Sequence, residues 1–220
     1  MKNHNIIMLI VLLGFCLITN AQDNGDYIEF NDRKNVVHGV YLGLSMHYGE
    51  MDNKSTYLPS FKVAYVANRK VEVGFVATFF YSQQNYFNEI EGINEDIIGA
   101  YGGLHIEPIL FSKSTVNLSF PLLVGAGGLG VFDSDFDFEN NDLEDDELRE
   151  SDGFFVVEPG VNLLFNVSRY LQLEAGVKYR ISSKTKLEPA TLNRINGFSA
   201  GIGVKVGVFN MGRNRYKKKI

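Results

Sequence analysis

Eight times between residues 37 and 209 the chain alternates apolar residues with small or polar ones at a period of two. Such a pattern marks strands that present two different faces, and it restricts the fold more than any other feature of the chain. The stretch 71–82 is the plainest. Val71, Val73, Phe75, Ala77, Phe79 and Tyr81 share one face, with Glu72, Gly74, Thr78 and Ser82 on the other. The same division runs through 37–48, 57–67, 97–111, 116–132, 154–165, 171–181 and 197–209. Each stretch is close to the ~9–11 residues that a tilted strand needs to cross a bilayer. The connections alternate too: 68–70, 112–115 and 166–170 are short, whereas 49–56, 83–96, 133–153 and 182–196 are longer. Short turns on one side and long loops on the other are the habit of outer-membrane barrels.

The expected fold is therefore all-β, an eight-stranded antiparallel up-and-down transmembrane β-barrel. Its polarity follows from the two faces. The apolar face carries the bulk on every strand, so a soluble lipocalin-type barrel with that face inside is the weaker reading. The other face is rich in glycine, as a narrow barrel interior requires. Its charges also balance: Glu72, Glu107, Glu158 and Glu174 against Lys62, Lys178, Arg180 and Lys205. Buried charges persist only when paired, so this set, with His105, is expected to form an ionic network in the lumen. Closure is obligatory, because an open strand edge in hydrocarbon strands its backbone polar groups. Aromatics near strand ends (Tyr48, Tyr57, Tyr81, Phe132, Phe154, Phe165, Tyr170, Phe209) are expected at the two membrane interfaces. Pro108, Pro121 and Pro159 fall inside strands, where proline cannot donate to the ladder, and bulges are expected there.

The flanks read differently. Lys2 and His4 precede thirteen mostly apolar residues, 6–18, and Thr19-Asn20-Ala21 follows. That is a secretory signal peptide over 1–21, too short in its apolar run to span a membrane. Phe15 before Cys16 disfavours lipoprotein processing, so the mature chain is expected to lack cysteine. A polar periplasmic leader would occupy 22–36, the barrel 37–209 with an acidic external loop at 133–153, and a basic periplasmic tail 210–220. The net charge of −5 hides a strong segregation: residues 133–152 hold eleven acids against one Arg, and the last eleven residues hold five Lys or Arg and no acid. No nucleic-acid-binding domain is indicated.

Several segments resemble the PorT-like outer-membrane β-barrel proteins and, more loosely, the OmpA/OmpX-type eight-stranded barrels. They are Asn20-Ala21-Gln22, the run Phe120-Pro121-Leu122-Leu123-Val124-Gly125-Ala126-Gly127, and Glu158-Pro159-Gly160-Val161 leading through Asn166-Val167-Ser168-Arg169-Tyr170 to Gly176-Val177-Lys178-Tyr179-Arg180. The resemblance implies a barrel in the outer membrane of a Gram-negative bacterium and carries no catalytic motif.

Chemistry-bearing residues are few. A hydrolase needs a nucleophile, a base in reach and an orienting partner. His38, His47 and His105 have no serine at a spacing that would build one, so no enzyme is expected, and a lipid-modifying activity through His47 or His105 is the third-ranked reading. Asp133, Asp135, Asp137, Glu139, Asn141 and Glu144 match the ligand positions of a calcium loop, but Phe138 stands where that loop needs glycine. The expectation is a solvated acidic loop with weak divalent affinity and no cofactor. The expected partners are outer-membrane lipids and lipopolysaccharide, the barrel-insertion machinery and an envelope protein. The expected role is non-catalytic (structural, interaction or envelope assembly), with a narrow channel for ions or small solutes as runner-up.

Overall fold

The computed structural model describes residues 37–88, 93–112, 114–133, 151–186 and 193–211. The proposed signal peptide and leader, most of the acidic loop and most of the basic tail lie outside the described residues. The described residues form nine strands: β1 (His38–Met51), β2 (Lys54–Ala67), β3 (Val71–Asn88), β4 (Ile93–Leu110), β5 (Val116–Ser119), β6 (Leu122–Asp133), β7 (Ser151–Asn166), β8 (Leu171–Ser182) and β9 (Gly197–Met211). All pairings are antiparallel, and β1 pairs with β9, so the sheet closes on itself. β5 and β6 form one stave. Both pair with β4 and with β7 in a single continuous register on either side of Phe120-Pro121. The barrel thus has eight staves.

Its stagger follows from the register. Stepping across neighbours from Val161 leads to Val177, Ala200, Tyr48, Tyr57, Tyr81, Ile98, Gly130 and back to β7 at Ser151, ten residues from the start. With a rise of ~3.3 Å per residue and ~4.8 Å between strands, that stagger over eight staves tilts the strands by roughly 40°.

The alternation sets the two surfaces. Val40, Leu42, Leu44, Met46 and Tyr48 point outward from β1, while Tyr41, Gly43 and His47 point into the lumen. The outer surface is apolar on every stave, with Phe75, Phe155 and Ile202 66–74% exposed. Arg180, Lys205, Glu72 and Glu107 are at most 1% exposed. This inverse of a soluble protein is what a barrel solvated by lipid requires, and it excludes the lipocalin-type polarity.

Three expectations are corrected. The strands run longer at the loop end than the alternation alone indicated, and the connection expected over 49–56 is a two-residue turn, Asp52-Asn53, between the paired residues Met51 and Lys54. Both turn residues have positive φ, 51° and 62°, the geometry whose twist suits a two-residue hairpin. Second, no bulge absorbs Pro108, Pro121 or Pro159, since the register is unshifted across all three. The ladder simply omits their donors. Phe120 N–H donates to the Pro108 carbonyl (3.0 Å) and Gly160 N–H to the Pro121 carbonyl (2.8 Å), so the acceptor half of each pair survives. Gly160 donates toward β5–β6, so the missing donor of Pro159 faces β8, and the β7–β8 pairing skips Glu158 and Pro159. Third, two of the expected interfacial aromatics point elsewhere. Phe154 is buried in the lumen, and Phe209 stacks on Tyr41 at 5.5 Å. Tyr48, Tyr57, Phe165 and Tyr170 are exposed and Tyr81 is half-buried; the Phe132 side chain lies outside the described residues.

Candidate functional site

The lumen is the candidate site, and glycine explains how so much bulk fits in it. Several large luminal side chains stand beside a luminal glycine on the next strand: Tyr41 beside Gly207, Phe80 beside Gly99, Tyr101 beside Gly127, His105 beside Gly74, Lys178 beside Gly160, Arg180 beside Gly197. Gly43 lies between Lys62 and Lys205 on its two neighbours. Gly127 lies between Tyr101 and Phe154, and a Cβ there would come within 2.5 Å of Tyr101 Cβ. Large against small across neighbouring staves is how a small closed cross-section is filled.

The filling has two layers. Nearer the short turns lies a charged layer centred on Glu107. Its Oε2 takes Lys62 Nζ (3.3 Å), Lys205 Nζ (3.3 Å) and His105 Nε2 (3.0 Å), while Oε1 accepts from Ser119 Oγ (2.5 Å) and Asn162 Nδ2 (3.1 Å). Glu72 stands directly opposite Glu107 in the β3–β4 register, a like-charge pairing that is unfavourable by itself. Lys205, reaching across from β9, lies 2.9 Å from Glu72 Oε2 and so bridges the two acids. Glu174 completes the layer at 3.4 Å from Lys62 and 3.3 Å from Lys205, and Tyr41 donates to Glu72.

Further toward the loop end, Lys178 Nζ meets Glu158 Oε1 (3.5 Å), and Tyr101 donates to Glu158 Oε2 (2.6 Å). Arg180 Nε donates to the Ile195 carbonyl (2.6 Å), with its guanidinium carbon 6.0 Å from the Tyr101 ring centre. Around them lies an apolar layer in which Met51, Leu58, Phe80, Ile97, Leu129 and Phe154 pack together. The nine residues proposed for the lumen are all buried and face inward, but they divide: Lys62, Glu72, His105, Glu107, Glu174 and Lys205 share one cluster, and Glu158 and Lys178 form a second beside Arg180.

Sequence reasoning missed the apolar layer. Phe80, Leu129 and Phe154 sit in phase with polar luminal residues, so strict phase-counting along β3, β6 and β7 was the available signal. Tyr41, Tyr101, Ser119 and Asn162 also complete the carboxylate shells, and their phase placed them on the inward face as well.

Glu72, His105 and Glu107 bring potential metal-ligating atoms within 4.8 Å of one another. The Lys205 ammonium already bridges the two carboxylates, and a cation there would meet that charge. The donor set therefore suits a lysine rather than a metal. Of the acidic-loop residues, Asp135, Asp137, Glu139 and Glu144 lie outside the described residues, and Asp133 is described only as the backbone end of β6, opposite Glu95.

The arrangement defines a membrane-type eight-stranded barrel with a filled lumen. No protein-family model matches the chain, and no curated protein matches it. Among solved structures it is similar to the crystal structure of Neisserial surface protein A, with 13% identity and a TM-score of 0.52 over 77% of this chain and 96% of that one. It also aligns with Ail, the attachment invasion locus protein of Yersinia pestis, in complex with the heparin analogue sucrose octasulfate (16% identity, TM-score 0.43, 78% of this chain and 98% of that one). A third match is the N-terminal β-barrel domain of Pseudomonas aeruginosa OprF (10%, 0.41, 77% and 96%). The first likeness shows a shared fold.

Proposed function

We propose that the protein is a non-catalytic barrel of the outer membrane of a Gram-negative bacterium, with a closed lumen and a structural, interaction or envelope-assembly role. The observation that carries this reading is the two-layer filling: a buried ionic cluster crossing from β2 and β9 to β4 and β8, capped by packed aromatic and aliphatic side chains. Such an interior serves the barrel's own cohesion. It leaves the outer surface and the loops as the parts that meet lipids, lipopolysaccharide, the insertion machinery or an envelope partner. His105 and its carboxylate partner lie inside the barrel, 2% and 0% exposed, away from the lipid that a membrane-modifying enzyme would attack. Within this class, the Phe120-Pro121 and Glu158-Pro159-Gly160 segments favour a PorT-like relationship.

Planar-bilayer recording tests the closed lumen. The refolded chain is expected to give no discrete conductance steps. Reproducible steps from the wild-type chain would instead favour the ion or small-solute channel.

A further inference from the structure

The apolar outer surface is not uniformly convex. An open groove of about 670 Å³ crosses it between two neighbouring rows of outward-facing residues. One row runs Val116, Phe165, Leu173, Val204 and Leu44 across β5, β7, β8, β9 and β1. The other runs Leu163, Ala175, Ile202, Met46 and Pro59 from β7 to β2. Ala175 stands between Leu163 and Ile202 in the register, and its single methyl group keeps the floor low between them.

The stagger of the barrel sets the direction of the groove. Val116 opens β5 directly after the short turn 112–115, whereas Pro59 lies nearer the loop end of β2. The groove therefore climbs away from the short turns as it passes from β5 to β2. That passage is five strand spacings, roughly 24 Å at ~4.8 Å each. On strands tilted by roughly 40° the path rises roughly 15 Å along the barrel axis. Half of a hydrocarbon core ~30 Å thick has the same depth, so the groove matches a single leaflet.

Charge identifies the leaflet and the lipid. Every short turn carries a Lys or Arg and none carries an acid: Arg69 and Lys70 in 68–70, Lys113 in 112–115 and Arg169 in 166–170. The loop end is rich in acids instead, with Glu50, Asp52, Glu95, Asp96 and Asp152. At the low end of the groove, Phe165 and Leu173 flank the turn that bears Arg169. Arg169 is exposed, and its guanidinium carbon lies 5.8 Å from the ring centre of the exposed Tyr170. A cation beside an interfacial aromatic, at the mouth of an apolar groove, is complementary to a phosphate joined to an acyl chain.

We propose that this groove seats one acyl chain of an anionic phospholipid from the leaflet on the short-turn side, with its phosphate against Arg169. The guanidinium presents a fork of donors that fits phosphate oxygens. The inference rests on the outer-membrane-barrel reading and deepens it by naming the lipid class and its place on the surface.

The test uses the mature chain refolded in zwitterionic detergent micelles, with gel mobility before and after boiling as the check on folding. The methyl resonances of Ala175 and Ile202 are followed during titration. Palmitoyl-oleoyl phosphatidylglycerol is expected to give saturable shifts at both. The phosphatidylcholine with the same chains, which has no net charge, is expected to bind about fivefold more weakly, the worth of one basic side chain at an anionic surface. Glycerol phosphate, which has the anionic group but no chains, should leave both methyl groups unmoved. Arg169→Gln should remove the preference and bring phosphatidylglycerol down to the affinity of phosphatidylcholine. Ala175→Phe, whose bulk points away from the lumen, should keep the mobility shift and abolish saturation at Ile202. A heat-modifiable wild-type chain with no saturable shift would overturn this inference and leave the barrel reading standing. Equal affinity for the two lipids, a preference kept by Arg169→Gln, saturation of Ala175→Phe or shifts with glycerol phosphate would do the same. A wild-type chain whose mobility does not change on boiling would overturn both.

Discussion

Glu107 is the residue on which the lumen depends most. It is fully buried and serves two lysines, a histidine, a serine and an asparagine. Removing one partner from a buried ionic cluster costs more than the cluster contributed, because the remaining charges lose compensation without regaining water. Glu107→Gln is therefore expected to lower unfolding stability by about 3–5 kcal/mol, read from urea titration in lipid vesicles. Adding Lys62→Met should deepen the loss, since Glu72 and Glu174 would then share Lys205 alone. A loss below about 1 kcal/mol would mean that water reaches the cluster and solvates it. Phase along the strands made the residues of this cluster legible in the sequence. The direct opposition of Glu72 and Glu107 was not, because it depends on how β3 registers against β4.

At the scale of the element, glycine placement and turn geometry set the limits. Gly127 lies between Tyr101 and Phe154, with the Ala100 carbonyl 2.3 Å from where a Cβ would stand. Gly127→Ala is expected to cost about 1–3 kcal/mol, as overpacking does in a filled core, and to reduce refolding yield. Refolding at wild-type yield would show that β6 can shift outward into the lipid. The Asp52-Asn53 turn makes a complementary prediction. Asn53 has φ 62°, which glycine adopts freely and β-branched residues resist. Asn53→Gly should be neutral or slightly stabilising, whereas Asn53→Val should cost about 1–2 kcal/mol, compared by the same urea titration. The sequence placed a long loop here because Gly49, Glu50, Asp52 and Asn53 look loop-like by composition. Pairing of Glu50 with Ser55 and of Met51 with Lys54 carries the strands on to the tight turn.

The whole molecule is a closed sheet with its apolar side out, and its stability needs a hydrophobic solvent. The mature chain refolded in detergent should migrate faster on a gel unboiled than boiled, and it should not fold to a soluble monomer when detergent is absent. A stable, detergent-free monomer would contradict the outward apolar surface. What the sequence by itself determined was the number of staves, the face turned to lipid and which charges of the central strand segments turn inward, though not Glu95, which is buried in a stretch that reads as loop. A period of two dictates which residues share a face, and the solvent dictates which face is out. What only the tertiary structure decided was everything that depends on register. The ten-residue stagger brings lysines from β2 and β9 against acids on β3, β4 and β8, sets bulk beside glycine, and separates a charged layer from an apolar one. Each strand specifies its own alternation, but a contact across the lumen is set by the sum of every register around the ring.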